Sequence, residues 1–178
     1  KGGNSAGTAK AVSQATMQAV VETATGLGIP AQDAANASAF GAMNASMDAS
    51  VDYGVNSATM ARDVTSGLTT GAITGAIRRQ TDPSAVTKAV LTGAVDSIFG
   101  KADKNNINPD PLIKAAQAGF NQALAAAGAQ GLEKKDAADP NNDIIGAGLK
   151  FDAEILVGKI KEKTFVFNGQ RTVKFEDN

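Results

Sequence analysis

Between about Thr8 and Gly128 the apolar positions recur at helical spacing, broken at four places by residues that end or begin helices. Gly26-Leu27-Gly28-Ile29-Pro30 joins stop glycines to a helix-starting proline, and Gly54 is followed by a capping Asn56 or Ser57. Thr81-Asp82-Pro83 and Asn108-Pro109 each set a cap before a first-turn proline. These signals predict five helices, over about 8–25, 31–53, 57–80, 83–99 and 109–128, with Arg78 and Arg79 at the negative end of the third.

The fifth helix has the sharpest apolar stripe, with Ile113, Ala116, Phe120, Ala123, Leu124 and Ala127 on one face. Elsewhere the pattern is a ladder of small residues: Gly67, Gly71 and Gly75 in the third helix, and Ala37, Gly41, Ala45 and Ala49 in the second. Such ladders allow close backbone approach. Gly67, Gly71 and Gly75 are therefore expected to pack helix on helix and not to dimerise in a membrane. The uncharged stretch between Asp63 and Arg78 would span only about 21 Å as a helix, against a hydrocarbon core of about 30 Å.

Residues 11–26 align with 85–100, sharing Ala, Val and Gly positions and conservative pairs such as Met17 with Leu91. The alignment suggests a duplicated helical hairpin, 11–52 and 85–128, with the third helix between the copies. Residues 1–7 are small and polar and read as an N-terminal arm, leaving 8–131 as the helical domain.

Beyond a charged linker at 132–143 the period switches to alternation. Ile145, Ala147, Leu149, Phe151, Ala153, Ile155 and Val157 occupy every second position, and Asn168-Gly169 marks a hairpin turn. Residues 144–178 are thus expected to form an antiparallel β-hairpin or three-stranded meander. A three-residue loop gathers Phe165, Phe167, Val173 and Phe175 on one face, whereas a two-residue loop divides them. The whole chain reads as mainly α, an Ala-rich bundle of about five helices with a segregated C-terminal β element.

Composition sharpens this picture. Of the 178 residues 34 are Ala, against 37 Leu, Ile, Val and Phe together, so the helical part must be held by many weak, close contacts. Lys and Arg number 17 and Asp and Glu 18, spread evenly, so no basic patch argues for nucleic acid. The absence of Cys and His removes thiol and imidazole catalysis, disulfides and thiolate or imidazole zinc sites. The chain opens at Lys1 without an apolar leader, the start expected of a processed chain or an excised piece.

Candidate chemistry is sparse. The Asp and Asn loops at Asp103 to Asp110 and Asp136 to Asp143 offer oxygen ligands, but Lys114 or Lys150 stands where an EF-hand needs its glutamate. Solvated linkers that cap helices are the preferred reading, an irregular calcium site the alternative. Gly26-Leu27-Gly28 follows a helix and not a strand, which argues against a dinucleotide loop. Asp48 and Asp52 lie four apart and could pair as acid and base; a solvated helix face explains them as well. Lys159, Lys161 and Lys163 line one side of a strand, suited to guarding an edge or meeting anionic groups.

The function expected is a non-enzymatic structural or surface protein, extracellular or at the cell surface. It would act by self-association or as a subunit of an exported assembly or filament, with no cofactor or metal. Its partner would be itself or another protein, with no nucleic acid and no transmembrane span. The interaction residues expected are Phe165, Phe167, Val173, Phe175, Lys159, Lys161 and Lys163. A monomeric helical module for a small apolar ligand is the alternative.

Overall fold

The computed structural model describes residues 5–105 and 107–127, together with the backbone of 165–167 and 171–173. The protein is mainly helical, with α1 (Ser5–Gly26), α2 (Ala31–Asp52), α3 (Ser57–Arg78), α4 (Pro83–Asn105) and α5 (Asp110–Ala127). β1 (Phe165–Phe167) and β2 (Arg171–Val173) pair antiparallel, Phe165 opposite Val173 and Phe167 opposite Arg171. Phe175, Lys159, Lys161, Lys163, the 132–143 linker and most of the 144–178 element lie outside the described residues.

Two boundaries differ from expectation. α1 starts at Ser5, inside the segment read as an arm, because Ala6 is already buried. α4 runs six residues past Phe99: Ala102 is fully buried and Lys101 reaches back to the Asp48 carboxylate of α2, which holds the last turns against the bundle.

The helices end and restart by one repeated device. The Ile29 N–H donates to the Ala24 carbonyl (2.9 Å), Val55 to Ser50 (2.9 Å), Thr81 to Ala76 (2.9 Å) and Ile107 to Ala102 (3.0 Å). Each closes a helix end in the Schellman manner. Gly28 (φ 72°), Gly54 (φ 64°) and Gln80 (φ 54°) take the left-handed position at the first three ends. The next helix then starts on Pro30, on Asn56, whose side chain accepts the Thr59 N–H (2.9 Å), or on Asp82, which accepts from Ser84 (2.8 Å). Successive ends fall 26 residues apart, so the described residues up to Ile107 form a series of helix-and-turn units of one length.

α3 packs most extensively on α1 and on α5, and α2 on α4. The odd helices therefore form one layer and the even helices another, with each helix bridging to its chain neighbours across the layers. The core runs between the layers, and the 26-residue phase is visible in it: Met17, Met43, Thr69 and Val95 are all fully buried. Leu68, Leu91, Ile98, Ile113 and Phe120 fill the remaining space.

The alignment of 11–26 with 85–100 relates α1 to α4 at an offset of 74, four residues short of three such units. A shift of one helical turn preserves a spacing of three and four, so an alanine-rich helix matches itself almost as well one turn out of phase.

Candidate functional site

Within each layer the helices meet at glycine. A Cβ built on Gly67 of α3 would run into the Lys10 carbonyl of α1, on Gly71 into the Gln14 carbonyl, and on Gly75 would come within 2.9 Å of the Val21 Cβ and 3.1 Å of the Gln18 oxygen. Gly93 of α4 meets the Asn36 carbonyl of α2 in the same way, and Gly119 of α5 the Arg62 carbonyl of α3. All five glycines stand 57 residues after the backbone they touch: two helix units plus about one and a half turns. One interface is thus repeated along the stack. Polar groups pin it: Asn36 Nδ2 donates to the Ala89 carbonyl (3.2 Å), and Arg78 pairs with Glu22 (3.4 Å).

The Ala37–Gly41–Ala45–Ala49 ladder has a different fate. Ala37, Gly41 and Ala45 are exposed, and a Cβ on Gly41 would meet nothing within 4 Å. Gly41 is the counterpart, 52 residues earlier, of Gly93, which α2 covers. Beside it, between α1 and α2, runs an open groove of about 670 Å³ lined by Val12, Thr16, Ala45, Ala49 and Tyr53 among others, none of its lining residues charged.

The groove has an occupied twin. Shifted by 52 residues, Ala9, Val12 and Thr16 become Ala61, Val64 and Leu68 of α3, while Ala42, Ala45 and Ser46 become Ala94, Ser97 and Ile98 of α4. All six counterparts are no more than 1% exposed, because the preceding helices cover them, α1 packing along α3 and α2 against both α3 and α4. Val12, by contrast, is 59% exposed where its counterpart Val64 is fully buried. The end of the stack formed by α1 and α2 is therefore built like an internal helix seat and left open among the described residues.

The other residues singled out from the sequence fall elsewhere. Asp48 is held by Lys101 across the α2–α4 contact, and Asp52 is exposed at the end of α2. Arg62 lies beside Asp63 (2.8 Å), whose carboxylate pushes the guanidinium pKa up through its hydrogen bond and charge. Among the described residues no three acidic side chains converge as a metal would need, and no helix is long and apolar enough to cross a membrane. The backbone register sets Phe165 opposite Val173, with Phe167 opposite Arg171.

The open seat was not found from the sequence, although its signal was there: the phase Gly28, Gly54, Gln80 marks the unit, and Gly41 then falls into register with Gly93. No family model matches the chain, and comparison with curated proteins and with solved structures found no similar protein.

Proposed function

We propose that the protein is a non-enzymatic structural subunit that acts by self-association, at the cell surface or in an exported assembly. One observation carries this reading. The α1–α2 end presents an uncharged, largely apolar groove whose counterpart between α3 and α4 is covered by the preceding helices. Exposed apolar surface of that shape favours a protein partner. In this reading the C-terminal segment forms an antiparallel β element, and Phe165, Phe167, Val173 and Phe175, with Lys159, Lys161 and Lys163 along an edge, supply a second contact to a neighbouring chain.

The test is light scattering and negative-stain microscopy of the full chain. Species larger than 18.0 kDa that grow with concentration support the reading; a monomer at every concentration and salt sinks it. The groove also favours a second reading, a small apolar ligand between α1 and α2, since it is open, uncharged and of ligand size.

A further inference from the structure

The surface of α3 and α4 on which α1 and α2 lie is repeated, 52 residues earlier, by the surface of α1 and α2 themselves. We infer that the α1–α2 face is the seat of a further two-helix unit of this same 26-residue design, net basic like α3–α4, laid head-to-tail on α1–α2 as α1–α2 is laid on α3–α4. This rests on reading the groove as a protein contact and names the partner it fits.

Continuity with the contacts inside the molecule gives the geometry, since in a stack of like units each pair meets its neighbour in one way. Gly41 stands where Gly93 takes the Asn36 carbonyl, and a Cβ on Gly41 would meet nothing within 4 Å, so an even helix can come as close over α2. α1 has Ala15, Ala19 and Thr23 where α3 has Gly67, Gly71 and Gly75; all three are exposed and uncharged, and an odd helix rests there with one more methyl between the backbones. The occupant's own side of the contact is repeated as well. Gly67 sits on the carbonyl of Lys10 and Gly119 on that of Arg62, so a basic residue at that place belongs to the seat.

Charge selects among such units. Residues 5–56 hold one basic and four acidic side chains, with Asp33, Asp48 and Asp52 exposed along α2, whereas 57–108 hold six basic and four acidic. Inside the molecule the acidic pair lies on the basic one, and the contact is tied by Glu22 to Arg78 (3.4 Å) and by Asp48 to Lys101. A basic pair laid on α1–α2 continues that alternation; a second acidic pair would set like charge against like.

The experiment joins a copy of residues 5–108 in front of Ser5 of the full chain. Asn108 then precedes Ser5 as Asn56 precedes Ser57, which keeps the phase, and the α3–α4 pair of the copy is held by its own α1–α2 whatever happens at the seat. The chain has no cysteine, so Ala45→Cys in the original α2 gives a single thiol beside the groove, at the place where the counterpart Ser97 is 1% exposed. Its rate of alkylation by iodoacetamide in dilute protein should fall at least tenfold in the extended chain, and Gly41→Leu in the same α2 should restore it. Gly100→Cys, exposed on the original α4, should react alike with and without the extension. Equal rates at Ala45→Cys in the two chains, or a slowed rate that Gly41→Leu leaves slow, overturn the seat. Light scattering of the unextended chain reads self-association separately: a monomer there, with Ala45→Cys protected by the extension, removes self-association and upholds the seat, whereas an oligomer with Ala45→Cys unprotected removes the seat alone.

Discussion

Gly119 of α5 stands over the carbonyl of Arg62 in α3, and the pair reproduces, 52 residues on, the contact of Gly67 with Lys10. Glycine is a poor helix residue, about 1 kcal/mol worse than alanine. Its use at these points follows from distance: with no Cβ, the helices approach until one backbone touches the other, and the many small side chains around them gain contact.

Alanine at these glycines should therefore destabilise despite its better helix propensity. Gly67→Ala and Gly119→Ala each force backbone apart, at a net cost of about 1–3 kcal/mol. Gly100→Ala, at an exposed glycine with nothing within 4 Å, should instead gain about 0.5–1 kcal/mol. Urea denaturation midpoints of the three variants measure the contrast; loss of stability at all three alike would remove the packing explanation.

Gln80 holds a left-handed conformation (φ 54°) at the place where Gly28 and Gly54 stand in the two preceding units. A side chain there is strained by its own Cβ. Gln80→Gly should stabilise by about 0.5–1 kcal/mol, read as a rise in thermal midpoint without change in helix content. A fall in midpoint would show that the glutamine side chain makes a compensating contact.

The Thr69 hydroxyl is fully buried with no hydrogen-bond partner, whereas Thr70 and Thr74, one helix face away, donate to the carbonyls four residues back (2.8 and 3.0 Å). Valine has the same shape without the polar atom. Thr69→Val should stabilise by about 1 kcal/mol, since an unsatisfied buried hydroxyl costs about 1–3 kcal/mol. Chemical denaturation decides it, and a destabilised Thr69→Val would mean that the hydroxyl is hydrogen-bonded in solution.

Much of the helical fold was legible because its punctuation is local. Pro30, Asn56, Asp82-Pro83 and Asn108-Pro109 act within a turn of where they stand, and they place the helix starts. What was not legible is which small residues are covered. Gly67–Gly71–Gly75 and Ala37–Gly41–Ala45 read alike along the chain, yet the first ladder lies against α1 and the second is open. The difference is not in the ladders. It follows from order in the stack: α1 precedes α3 by one two-helix unit, whereas no described helix precedes α2 by one. The same unit was hidden from direct alignment because alanine-rich helices match one another a turn out of phase, and only the turns, at Gly28, Gly54 and Gln80, keep the true spacing.

The most direct test of the open seat uses the absence of cysteine from this chain. Ala45→Cys places a single thiol on α2 beside the groove, and Gly100→Cys places one at an equally exposed site on α4. As protein concentration rises and the chain associates, alkylation of the Ala45→Cys thiol should slow while that of the Gly100→Cys thiol keeps its rate. Equal slowing at both sites, or none at Ala45→Cys, would contradict a protein contact at the α1–α2 face.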